Sequence, residues 1–157
     1  MPNWCCNTVA FYAEEDAMKN IQNLFQELAK LEMKTMHGQL PEFVKAQSGW
    51  LHEIDIEGDI LYYQTKWAPN LEVMLQVAKH FKCEFKYTYD EPGMLLFGEF
   101  EYFNGELKER SIEEVEREQM ELIEENYTYR FEGGTYESEY DIYEILLERK
   151  GWTDVEL

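Results

Sequence analysis

Three residues could build a small ligand pocket. Trp4 and Asn7 stand near the start of the chain and Trp67 stands far along it. An indole can stack on a ligand ring, and an amide can fix its orientation. The structural alternative is that the Trp rings cover an open end of a sheet while Asn7 bonds a loop backbone. Cys5 and Cys6 offer thiols. A reactive thiolate needs a basic neighbour or a helix N-terminus, and nothing local supplies one, so both read as inert. His37, His52 and His80, with acids such as Glu53 or Asp55, could bind a metal. They lack the paired spacing of metal helices and fall in separate elements, so no metal is expected. Glu99 and Glu101 lie two apart on one strand face and could share acid–base work, or could simply meet solvent. Glu113, Glu114, Glu116, Glu118 and Glu121 could present carboxylates at phosphate-like spacing, or form a solvated helix face. No Gly-rich phosphate loop, nucleophile elbow or ordered Ser/His/Asp set is present. We therefore expect no catalytic residue, no enzyme activity and no cofactor.

The elements that must position these groups follow from periodicity. Thr8 to Ala13 alternates as a strand. A helix opens at Glu14-Glu15-Asp16, with Met18, Ile21, Leu24, Phe25, Leu28 and Leu31 on one face, and ends near Gly38 or Pro41. Residues 38–53 read as irregular. Ile54–Ile56 and Ile60–Trp67 read as strands around a Gly58-Asp59 turn. A second helix starts at Asn70, its N-cap, and carries Leu71, Met74, Leu75, Val77, Ala78 and Phe81. Strands over Glu84–Tyr89 and Met94–Tyr102 flank an Asp90–Gly93 turn. Asn104-Gly105 is a hairpin signal returning through Lys108. The order β-α-β-β-α-β predicts an α+β, ferredoxin-like antiparallel sheet with its helices on one face. Three cysteines cannot supply the four thiolates of an iron–sulfur cluster.

Beyond residue 108 we expect an acidic extension of helix, strand and helix packed on a 1–108 domain. The first helix is expected over Ser111–Asn126, with Ser111 opening a capping box. Tyr127 to Phe131 reads as a short strand, and Asp141–Lys150 as a helix stopped by Gly151. From Ser111 onward fifteen acids oppose four bases, so this third carries more than half of the net charge of −19. Its aromatics argue against disorder.

That charge, 33 acids against 14 bases, excludes direct binding of nucleic acid through phosphates and disfavours an anionic membrane surface. It suits a basic protein partner. An odd cysteine count, no C-x-x-C and a strand starting close to Met1 predict a reducing cytoplasm and no targeting leader. No apolar run is long enough to span a bilayer.

Three segments also resemble a known family. They are Met1-Pro2-Asn3-Trp4-Cys5-Cys6-Asn7, Tyr63-Gln64-Thr65-Lys66-Trp67-Ala68-Pro69, and Tyr89-Asp90-Glu91-Pro92-Gly93 followed by Phe97-Gly98. Over about residues 1–108 the chain resembles the YubB ferredoxin-like family, carried largely by phages, plasmids and integrated elements. It departs from that pattern at Asn70, where a second proline is common. The resemblance implies the fold and an accessory role in mobile DNA, and no activity.

Three functional expectations result. The first is an accessory protein that binds a basic host or element-encoded protein through its acids, in its strongest form a DNA-mimic inhibitor using Glu114, Glu118 and Glu121. The second is a small-molecule-binding module or enzyme with a pocket near Trp4, Asn7 and Trp67. The third is a self-associating structural domain, forming a homodimer through an open sheet edge or face.

Overall fold

A computed structural model describes residues 1–157, the side chain of Met94 excepted. Strand β1 (Trp4–Tyr12) leads into helix α1 (Glu15–Thr35). Then come β2 (His52–Glu57), β3 (Ile60–Lys66), helix α2 (Leu71–Phe81) and β4 (Glu84–Glu91). These four strands lie in the order β4-β1-β3-β2, all antiparallel. That is the ferredoxin-like arrangement expected from the sequence.

The sheet grows beyond β4 through a hairpin of β5 (Leu96–Phe103) and β6 (Glu106–Ile112). Asn104 and Gly105 both hold positive φ, 54° and 74°, as a two-residue turn between right-twisted strands demands. Residue 108 lies inside β6, so the sheet continues through the expected domain boundary. Further on come a single helical turn α3 (Glu114–Arg117), strands β7 (Glu121–Ile123), β8 (Thr128–Phe131) and β9 (Gly134–Tyr136), helix α4 (Glu139–Lys150) and β10 (Thr153–Val155). β10 returns to pair with β6 at the sheet edge, while β7, β8 and β9 form a separate small sheet.

Strand alternation sorts the side chains. Cys5, Asn7, Val9 and Phe11 point toward α1 and α2 and are buried, as are Leu61 and Tyr63 on β3 and Phe85 and Tyr87 on β4. Ile21, Phe25 and Leu28 of α1 and Val73, Met74, Val77 and Ala78 of α2 close this main core. The opposite face is covered in part by α4. Phe97 and Ile112, neighbours in the β5–β6 register, pack with Ile142, Tyr143, Leu146 and Leu147 as a second core.

Two expectations are corrected. The Ser111–Asn126 helix is one turn long. Ser111 and Ile112 are the last residues of β6, opposite Gly98 and Phe97, and Ile112 is spent on the second core. Val115 and Leu122, which should have anchored the helix, are 66% and 47% exposed. The capping box forms at Glu113 and Glu116 rather than at Ser111. Asn70 holds the N-cap position of α2, yet its side chain makes no cap bond because it is committed to a buried network.

Candidate functional site

Where β1 begins and β3 ends, Trp4 pairs with Lys66. The chain beyond each strand leaves a cleft of about 510 Å3 there. His37, from the loop after α1, Trp50, two residues before β2, and His52, the first residue of β2, line it together with Lys66 and Trp67. Gly38, Ser48 and Gly49 supply the rest of the wall. The volume falls in the range of ordinary small-ligand sites. Trp50 is 44% and Trp67 50% exposed, so both indoles keep much of their surface free.

Trp67 is held in an unfavourable backbone. Its φ is 72°, and the Ala68 N–H donates to the Lys66 carbonyl at 2.9 Å across it. This is a γ-turn of the rare positive-φ kind. Its own N–H donates to the Asn3 carbonyl at 2.8 Å. A bulky residue in left-handed backbone costs on the order of 1–3 kcal/mol, and such strain gathers at ligand clamps. The buried half of the ring offsets a comparable amount through packing, at about 25 cal/mol per Å2, and the other half stays free.

A buried hydrogen-bond network fixes both lips of the cleft. On one side Thr65 Oγ1 donates to the Ala68 carbonyl at 2.6 Å, bracing the turn around Trp67. Asn7 Nδ2 donates to Thr65 Oγ1 at 2.9 Å and to the Cys5 carbonyl at 3.1 Å. The Tyr87 hydroxyl donates to Asn7 Oδ1 at 2.6 Å and accepts from the Asn70 N–H at 3.1 Å. Tyr63 donates to Asn70 Oδ1 at 2.6 Å. On the other side Asn70 Nδ2 donates to the Gly49 carbonyl at 2.9 Å. Gly49 has φ of 88°, and a Cβ there would sit 3.0 Å from that of Asn70, so glycine is required. Burial pushes the Tyr63 and Tyr87 hydroxyls well above the ordinary tyrosine range, so both stay protonated as donors.

The cleft has a distinct electrostatic character. Among the described residues no carboxylate lines it, although 33 of the 157 residues are acidic. Lys66 makes no ion pair among the described residues, and its Nζ lies 5.9 Å from the centre of the Trp4 ring. His52 is held below the usual histidine range chiefly by burial, with Lys66 reinforcing the drop and the Glu32 and Glu53 carboxylates pulling the other way. It is therefore neutral near pH 7. Its ring packs edge-on against Trp4 at 4.9 Å. Gly38 lies flat on it: a Cβ there would approach Cε1 and Nε2 to 2.6 Å.

The candidate residues are thus distributed unequally. Trp67 lines the cleft. Trp4 supports one wall through His52. Asn7 is 2% exposed and sits behind the lip, in the network. His37 and His52 meet at the cleft, while His80 stacks on Phe43 at 3.7 Å. No group of three His, Cys, Asp or Glu converges on a metal-sized space among the described residues. Glu99 is bridged by Arg110 at 3.0 Å and Glu101 by Lys86 at 3.6 Å, which separates the two carboxylates into ion pairs. Cys5 is buried and its thiol is pushed up to about 12 by burial, whereas Cys6 faces the other side and is exposed.

Glu114, Glu118 and Glu121 are exposed, but they do not share a helix face, since Glu118 ends the single turn α3 and Glu121 begins β7. Glu113 and Glu116 are taken up by Lys150. Sequence reasoning missed Trp50, Gly49 and Lys66. The available signal was Ser48-Gly49-Trp50, an aromatic beside glycine in a segment without periodicity.

The fold and this end-of-sheet cleft define a ferredoxin-like α+β protein. The chain belongs to the family described as the ferredoxin-like domain in Api92-like protein, which matches residues 47–132, more than half of its length. The matched span holds Trp50, His52, Lys66 and Trp67 and leaves Trp4, Asn7 and His37 outside it. No curated protein and no solved structure matches the chain.

Proposed function

We propose that this chain is a non-enzymatic binding module whose Trp50–Trp67 cleft holds a small ligand, in an accessory protein of mobile DNA. One observation carries the reading: Trp67 keeps a half-exposed ring in strained, left-handed backbone at the mouth of the cleft, braced by a buried network from behind. The free half of the ring is available to stack on a ligand. The resemblance to the YubB family supports the mobile-element setting, and three free cysteines suit a reducing compartment. The test is a small-molecule library screened by ligand-shift melting on the wild type and on Trp67→Ala. A ligand that raises Tm in the wild type and not in the variant supports the cleft. Stabilisers that act equally on both proteins would remove it.

A second reading rests on charge. Glu114, Glu118 and Glu121 are exposed in an acidic third of the chain, and such a surface suits a basic protein partner. Its test is a pull-down of a basic nucleic-acid enzyme that is salt-sensitive and lost when these three residues are changed to Gln. Unchanged capture by the triple variant would eliminate these residues as the docking surface.

A further inference from the structure

We infer that the cleft takes a small planar aromatic anion: a ring that stacks on Trp50 or Trp67 and carries a carboxylate or phosphate that pairs with Lys66. The inference rests on the cleft reading above and adds the chemistry of the occupant. Two independent observations point to it. The walls hold two accessible indoles and, among the described residues, no carboxylate, in a chain where acids outnumber bases by 33 to 14. Lys66, the cation in the wall, has no carboxylate within ion-pair distance among the described residues. What sets Lys66 apart from the other unpaired lysines is its place in the wall between two indoles, where it is an open counter-charge, and an anion with a ring satisfies both features at once.

The competing occupants fit worse. Indole faces attract cations, but a cation seated there would stand beside Lys66, while Glu32 and Glu53, the carboxylates that act on His52, do not line the cleft. A nucleic-acid strand would bring many phosphates against a net charge of −19. A ligand with one or two charges meets far less of that field, which salt screens beyond about 8–10 Å. Neutral His52 can donate or accept one hydrogen bond to the same head group without adding charge.

The experiment is calorimetric titration of the whole protein with four probes: adenosine 5′-monophosphate, indole-3-acetate, uncharged adenosine, and trimethyl-lysine. At least one anion should bind severalfold more tightly than adenosine, since an ion pair to an exposed lysine is worth up to about 1 kcal/mol. Lys66→Gln should erase the preference and leave the Tm unchanged. The two anions distinguish a phosphate head group from a carboxylate. Adenosine binding as well as the anions, or trimethyl-lysine binding best, overturns the anionic class while the cleft itself stands. Silence from all four probes, together with no Trp67-dependent ligand in the library screen, overturns both.

Discussion

Trp67 is the residue on which the account turns, and replacing it separates strain from binding. Glycine adopts positive φ without penalty, so Trp67→Gly relieves the turn while losing only the contacts of a half-exposed ring. We expect urea melts to place this variant within about 1 kcal/mol of the wild type, with ligand binding abolished. A loss of several kcal/mol would mean that the ring is packing rather than a clamp. Asn7 should behave in the opposite way. Asn7→Ala removes one buried bond each from the Tyr87 hydroxyl and Thr65 Oγ1, which keep Asn70 and the Ala68 carbonyl as partners, and leaves a small cavity, at a cost of about 1–3 kcal/mol. We expect that loss in chemical denaturation, accompanied by weaker binding because the lips lose their brace. Thiol labelling gives a third prediction: in the native state Cys6 reacts while Cys5 and Cys83 are protected, and all three react in denaturant. Trp67 and Asn7 were visible as candidates because polar and aromatic residues at strand ends are informative. Their division of labour was not, because Asn7 acts through Tyr87 and Asn70, residues 80 and 63 positions away, and no local pattern reports such a bond.

Among the elements, the strands and long helices of the sheet were legible because their periodicity is strong. Val9 and Phe11 alternate, and Ile21, Phe25 and Leu28 repeat at helical spacing. The reading failed where two patterns compete. Ile112, Val115 and Leu122 suggest a helical stripe, but β6 claims Ile112 by pairing with Phe97, a partner fifteen residues away that local spacing cannot reveal. Loop 38–53 was unreadable for a related reason: its glycines are placed by contacts with His52 and Asn70, not by a repeat. Helix α4 was found and is the clamp of the second core. Ile142 is fully buried against it, so Ile142→Ala should cost about 2–5 kcal/mol in denaturant melts. The Tyr140 hydroxyl, which donates to Asp90 Oδ2 at 2.6 Å, joins the same helix to β4.

At the scale of the whole molecule, charge and burial set how stability responds to solvent. A net charge of −19 repels itself in the compact state, so raising NaCl from about 10 mM to about 150 mM should raise the Tm. A Tm independent of salt would show that the acids are already compensated. Alkaline pH acts through burial. Burial raises Cys5 from the usual 9.0 to about 12 and Cys83 to about 11. Both thiols are therefore held neutral by folding. Their contribution is complete below the unfolded value and is lost as pH climbs through 9.0 toward the folded values. The Tm should be flat up to about pH 8.5 and fall above it, and Cys83→Ala should soften the fall.

The most direct measurement uses the four tryptophans as reporters. Trp50 and Trp67 line the cleft and Trp4 touches it through His52. Trp152 stacks under Arg110 at 4.3 Å, beside β10 at the sheet edge opposite β2. Heteronuclear NMR resolves the four indole N–H signals, and adenosine 5′-monophosphate or indole-3-acetate can be titrated in. The account predicts saturable shifts of Trp50 and Trp67, a smaller one of Trp4, and none of Trp152. Uniform shifts of all four, or a response centred on Trp152, would contradict it.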